Sequence, residues 1–393
     1  MGTLMNKDSR LHYIDNLRSL ALLLGIVFHA ALAYSPFFSN IWFTADPSTH
    51  GLFDYITHTL HLFRMPLFFI IAGFCSALLI DKSSNARFLH HRSKHILLPF
   101  IVFLPLSFAV YYHALSFGAG IANPIPPIFA VFKVIKEPVV STMHLWFLWN
   151  LFQFCLIHWL LKTTNLLGNK FDALSAHPLF MWVVLPIVLT FSLMGQSIPF
   201  PAPDKLTPQL WSYGFYGSFY WLGVGLNKKQ QLIWSYNKYL WPLILGVALS
   251  LTAYFSLLPA APSLDEVIAA ATTGYFAAAG ELHVLHVLSQ GLSVILLTAI
   301  TFLLGHRFLN HQSKLSRSIS NASYWIYLIH VPVLIYIQMP LINTSWPVLV
   351  KFIVSVVVTL LIGQISYLLL VKNTWLGALL NGRQTKRKVI QSA

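Results

Sequence analysis

Asp15, Arg18 and His29 interrupt an apolar stretch near the start of the chain, and each brings a different chemical capability. A histidine takes up and returns a proton near neutral pH, so it suits a general base. An arginine holds phosphate or carboxylate through several N–H donors, and a carboxylate three residues earlier on a helix keeps its guanidinium in place. Arg18 and His29 are eleven residues apart, which at about 100° per residue is three turns plus roughly 20°, so a helix puts both on one face. The rise separates them by about 16 Å, with Arg18 near one end and His29 beyond the middle. A stripe of that length matches a long ligand whose anionic end stays near the surface while its reactive end lies deep, the shape of a coenzyme A thioester. A plainer reading fits the same positions: Asp15 and Arg18 anchor the helix at an interface, and His29 bonds a neighbouring helix.

Further ionisable or polar candidates lie in later apolar runs: His58, His61 and Arg64, His144 and His158, His283 and His286, and His330. His61 and Arg64 are placed to receive an anionic group or an acceptor, or, on the plainer reading, to make ion–dipole contacts to loop carbonyls. His144 and Trp146 stand at the mouth of their run, where a tryptophan is ordinarily an interfacial anchor and otherwise a platform for a sugar ring. Tyr324, Tyr327 and His330 follow at spacings of three, as an acceptor-side lining or as packing with satisfied hydroxyls. His158, His283 and His286 are read as structural or interfacial.

The elements that position these groups follow from composition. Of 393 residues, 56% are hydrophobic and 9% charged, too few charges to cover a soluble surface. The apolar residues come in runs of about twenty, the length that crosses a bilayer as a helix. We expect an all-α, polytopic membrane bundle of about ten transmembrane helices at roughly 14–34, 56–80, 96–117, 143–161, 178–195, 211–226, 239–258, 283–304, 322–339 and 347–371. The net charge of +14 is topological, because most lysines and arginines fall in alternate connections. Lys7 and Arg10, the 82–94 segment with Lys82, Arg87, Arg92 and Lys94, then Lys162, Lys170, Lys228, Lys229, Lys238, Arg307, Lys314, Arg317 and the basic C-terminal segment share one side. The other side holds Lys133, Lys136, Lys205 and Lys351. Both termini are therefore expected to be cytoplasmic, and no nucleic-acid partner is expected.

Residues 1–393 read as one membrane-embedded domain with short cytoplasmic tails, about 1–13 and 372–393, and without an internal repeat. The first apolar run is too long and too polar for a cleaved signal peptide. The longer outer connections are 35–55, 118–142, 196–210 and 259–282, two of them stiffened by proline in "NPIPPIF" and "SIPFPAPDKLTP". Cys75 and Cys155 are expected to be packing residues rather than a disulfide.

The segment "IDNLRSLALLLGIVFHA" resembles the first-helix signature of the membrane-bound acyltransferase 3 family, its Arg-to-His spacing matched by Arg18 and His29. "FFIIAGF" at 68–74, "HLWFL" at 144–148 and "NASYWIYLIHVP" at 321–332 are similar to later blocks of that family, in order. "HLFRMPLFFIIAGF" is most similar to the glucan-succinylating group within it. The resemblance implies transfer of an acyl group, of succinyl or acetyl type, from cytoplasmic acyl-coenzyme A to a hydroxyl of an extracytoplasmic glucan or other carbohydrate, in a bacterial inner membrane. It implies His29 as base or as a transiently acylated relay, Arg18 with Arg92 and His95 on donor phosphates, and Asp15 orienting Arg18. His61, Arg64, His144, Trp146, Tyr324, Tyr327 and His330 would lie on the acceptor side or behind these. "RSKH" departs from the family's usual Arg-x-x-Arg, placing His95 at the second arginine's position; Ser19 and Ala72 replace a usual glycine and serine. No metal and no permanently bound cofactor are expected; the partners would be acyl-coenzyme A, the carbohydrate and membrane lipids. A secondary transporter of a small organic anion or sugar is the rival class. Against it, only Asp15 of the 11 acidic residues lies within an apolar run, whereas proton-coupled carriers place carboxylates at mid-membrane.

Overall fold

The computed structural model describes residues 11–135, 140–166, 175, 177–273, 280–311 and 313–381. Every regular element among them is a helix, apart from a single bridge between Ser141 and Lys205. We number the helices α1 (His12–Leu32), α2 (Leu52–Lys82), α3 (Asn85–Ile121), α4 (Phe129–Val134), α5 (Met143–Thr163), α6 (Phe180–Leu193) and α7 (Leu210–Lys228). The remainder are α8 (Gln230–Ser256), α9 (Leu264–Thr273), α10 (His283–Phe308), α11 (Lys314–Ile342), α12 (Val348–Val371) and α13 (Trp375–Asn381).

Each of the ten expected runs is helical, but only eight of the described helices are long and apolar enough to cross a membrane: α1, α2, α3, α5, α8, α10, α11 and α12. Helix α6 is too short. Helix α7 is long enough but rich in tyrosine, serine and glycine, because it is packed inside protein rather than facing lipid. Its neighbour is α2. An added Cβ on Gly73 would strike the backbone carbonyl of Tyr220, and one on Gly223 would strike that of Ile70, so the two helices meet backbone to backbone through both glycines. Gly223→Ala is therefore expected to lower stability in detergent unfolding by about 1–3 kcal/mol. Gly291→Ala, where an added methyl meets nothing within 4 Å, should leave it unchanged; equal losses would overturn this account.

The lipid-facing side is legible in exposed apolar residues on α3, α6, α8 and α12, such as Ile101, Phe191, Trp241 and Leu369. The 82–94 segment, read from sequence as a connection, is helical. Ser84 caps α3 by accepting the Arg87 N–H, and a π-turn at Ser93–Leu97 carries α3 on from its first turns without a break. The outer connections are not plain loops either, since 118–142 and 259–282 contain α4 and α9. Of the orienting charges, Lys7, Arg10, Lys136, Lys170, Arg383, Lys386, Arg387 and Lys388 lie outside the described residues, as do most of the two tails.

Lys351 differs from its expected place as a connection charge. It sits on α12 at 1% side-chain exposure with its Nζ 2.7 Å from Asp46, itself 2% exposed. Burial of either charge alone would be costly, so the pair locks the 33–51 segment to α12. That segment folds back over the end of α1: Asp46 N–H donates to Ala33 at 2.8 Å, and His50 N–H to Tyr34 at 3.0 Å.

Candidate active site

Helices α1 and α11 run side by side in the same direction and are bonded at two levels. Arg18 Nη2 donates to Ser320 Oγ at 3.3 Å, and His29 Nδ1 lies 2.9 Å from His330 Nε2. Offsets of eleven residues on one helix and ten on the other keep the helices in register over about 15 Å. Between them lies a cavity of about 430 Å³, bordered by Arg18, Gly25 and His29 of α1, Arg64 and Cys75 of α2, and Tyr324 and Tyr327 of α11. Arg18, with 44% of its side chain exposed, marks an open end, and its Nη2 is 3.8 Å from Asp15. Asp15 is thus close enough to bias the guanidinium.

At the His29 end the hydrogen bonds select tautomers. His330 Nδ1 is 2.7 Å from the Tyr327 carbonyl, which only accepts, so Nδ1 carries the proton. In the neutral ring Nε2 then holds a lone pair, and it accepts from the His29 Nδ1–H. His29 Nε2 is left with the lone pair on a residue that lines the cavity. His29 also bonds the backbone of Gly25, one turn earlier on α1, so His330 and Gly25 together hold its ring. The ring of His144 stands 5.6 Å from that of His330 and is itself held, Nε2–H donating to Leu328 O at 3.1 Å and Tyr111 OH to Nδ1 at 3.0 Å.

Arg64 supplies the positive charge of this end. It is 6% exposed, its Cζ lies 4.5 Å from the centre of the Phe28 ring, and its Nε has no partner. Among the described residues no carboxylate reaches it. Gly25 makes its seat, because a Cβ there would lie 2.9 Å from Arg64 Nη1. His61 does not line the cavity as expected. It stacks on Phe28 at 5.6 Å and its Nε2–H donates to Phe200 O at 2.8 Å. Both His61 and Arg64 lie against the Phe28 ring, and the proline-rich 196–210 connection buries Phe200 against His61. Trp146 is 9% exposed and packs on Tyr216 at 5.1 Å, so it is a wall of the cavity rather than an interfacial anchor.

At the Arg18 end, Arg92 Nη2 donates to Ser76 Oγ at 3.0 Å, and both Arg92 and His95 line the cavity. His95 is not a plain substitute for arginine: its Nδ1–H donates to Leu379 O of α13 at 2.6 Å, so one ring nitrogen is committed. Its own carbonyl accepts from Tyr324 OH at 2.9 Å, and Tyr327 OH donates to His144 O at 2.8 Å. Both tyrosines therefore line the cavity with satisfied hydroxyls. His158 and His283 are structural as expected, bonded to Tyr220 OH and Met194 O.

Sequence reasoning missed four contributors. His91 and Ser320 line the cavity, and each had a signal: His91 adjoins Arg92, and Ser320 lies one turn before Tyr324. Cys75, read as packing, borders the cavity, while Cys155 is buried and neither forms a disulfide. Trp42, stacked on His29 at 5.7 Å, had none, because nothing in a connecting segment announces which helix it covers.

An open membrane cavity with arginines at both ends and a tautomer-selected histidine at the deep one is the equipment of an integral membrane acyl-transfer enzyme. The family model described as an acyltransferase domain, acyltransferase 3, matches residues 11–368, and the chain belongs to that family. This decides between the two classes the sequence left open: it is an acyltransferase. The glucans biosynthesis proteins C of Escherichia coli O139:H28 (strain E24377A / ETEC), strain SMS-3-5 / SECEC and strain K12 are each 23% identical to it over 353 residues, covering 86% of either chain. No solved structure matches it.

Proposed function

We propose that the protein transfers an acyl group of succinyl or acetyl type from cytoplasmic acyl-coenzyme A to a hydroxyl of a glucan or other carbohydrate on the far side of a bacterial inner membrane. The observation that carries this reading is the single cavity running along α1 from Arg18 to His29. Arg18 and Arg92 hold donor phosphates at the open end, with Asp15 behind Arg18 and His91 and His95 beside them. The acyl chain lies along the cavity toward His29. His29 Nε2 takes the acceptor hydroxyl proton as the oxygen attacks the thioester carbonyl; the C–S bond then breaks and the proton passes to the departing thiolate. The products are an ester and free coenzyme A. His330 holds His29 in the basic tautomer and does not itself touch the reacting atoms.

Arg64 favours a succinyl over an acetyl group, because a buried guanidinium without a carboxylate among the described residues is matched by a terminal carboxylate on the acyl chain. The test is transfer by the protein in liposomes, with labelled succinyl- or acetyl-coenzyme A offered on the Arg18 side and a glucan on the other. We expect kcat/KM to favour succinyl, and Arg64→Met to lower that preference about a hundredfold or more. Absence of any transfer would sink the function; transfer with equal preference in parent and variant would sink the role of Arg64 alone.

A further inference from the structure

A cavity of about 430 Å³ that is open at Arg18 and reaches past the middle of α1 would let water and small ions through the membrane if it also opened beyond His29. Something must close that end. The residue placed there is Trp42, whose indole stacks on the His29 ring with centroids 5.7 Å apart and planes 18° from parallel. Trp42 does not line the cavity. It packs against two separate apolar clusters: Tyr111, Val331 and Met339 of α3 and α11 on one side, and Ala31, Tyr34 and Phe53 of the α1–α2 corner on the other. The ring therefore bridges the gap between helix pairs above His29.

The backbone around it is fastened. Asn40 Nδ2 donates to Pro262 O at 2.9 Å, Thr44 Oγ1 to Gln338 Oε1 at 2.6 Å, and Lys351 Nζ to Asp46 Oδ2 at 2.7 Å. The indole is not: its Nε1–H is buried and has no acceptor. A buried donor left unmet destabilises its seat, and a hydroxyl or water arriving from beyond Trp42 would satisfy it. The movable piece is thus the ring and not the segment that carries it.

We infer that Trp42 is the acceptor-side seal of the cavity, closing it above His29 and turning aside to admit the acceptor hydroxyl. The seal rests on the stacking of Trp42 on His29 and its packing against both clusters, and the identity of what it admits rests on the proposed transfer reaction. It makes Trp42 a specificity-determining residue, since a hydroxyl reaches His29 from that side only when the ring moves.

The chain has two cysteines, so Cys155→Ser leaves Cys75 as the sole thiol, inside the cavity. A charged, membrane-impermeant methanethiosulfonate is applied to one face at a time, using spheroplasts and inverted vesicles, with Cys75→Ser as the blank. In the Cys155→Ser parent, Cys75 is expected to react from the Arg18 face and to be shielded from the other. Trp42→Ala is expected to raise the rate from the shielded face at least tenfold without changing the rate from the Arg18 face, which also reports that the variant is folded. Trp42→Phe should stay shielded. Reaction of the parent from both faces, or no gain in Trp42→Ala, overturns the inference. If the parent shows this one-sided pattern and yet accepts no acyl donor, the transfer reading fails while the seal stands.

Discussion

Replacing His29 by alanine is expected to reduce kcat for acyl transfer by about 10²–10⁴-fold, the range removed with a positioned general base. His330→Ala should cost about tenfold to a hundredfold, because one of the two partners that hold the His29 ring, His330 and the Gly25 backbone, is lost. His330→Gln distinguishes this from mere packing. A glutamine carbonyl can accept the His29 Nδ1–H while its amide donates to Tyr327 O, so it should restore most of the rate; a methionine of similar length should not. The measurement is turnover of labelled acyl-coenzyme A by purified protein, with KM recorded alongside kcat. Retention of a tenth of the activity in His29→Ala, or equal loss in the glutamine and methionine variants, would remove the base and its positioning partner respectively.

Lys351→Ala is expected to destabilise the protein by about 3–5 kcal/mol, the usual cost of leaving one charge of a buried pair without its partner. The paired change, Lys351→Met with Asp46→Leu, should recover much of that loss, since well-packed apolar residues often replace a buried ion pair without penalty. The readout is the unfolding midpoint in detergent, with limited proteolysis between residues 35 and 51 as a local probe. Early cleavage there is expected in Lys351→Ala because Asp46 ties the segment to α12. If the single variant is as stable as the parent, the pair does not hold the segment.

The two results bear on one another through Trp42. The ion pair fastens the segment, the segment presents the indole, and the indole stacks on His29, the base of the proposed reaction. On the proposed reaction, a chemical step deep in the bilayer would depend on a loop-to-helix charge pair with no direct contact to the reacting atoms.

The legibility of the sequence follows the reach of its periodicities. Apolar runs of about twenty residues announce a helical membrane protein, and a repeat of 3.6 residues announces that Arg18 and His29 share a face, because both are properties of a single helix. Crossing number is less local. The run at 211–226 reads as a span by length, yet α7 is built for contact with α2 through Gly73 and Gly223, and its composition reflects protein neighbours. His61 and Arg64 likewise look equivalent on α2, and only the packing shows that Arg64 borders the cavity while His61 is held by the Phe28 ring and the Phe200 carbonyl.

The chain alone therefore determined the membrane class, the stripe on α1 and the residue types able to hold an anion and move a proton. Tertiary structure decided which partners those residues meet: Ser320 for Arg18, His330 for His29, Asp46 for Lys351, and Trp42 over the deep end. The reason is physical. A helical face is set by bonds four residues apart, whereas the pairing of His29 with His330 spans 301 residues and depends on how α1 and α11 pack.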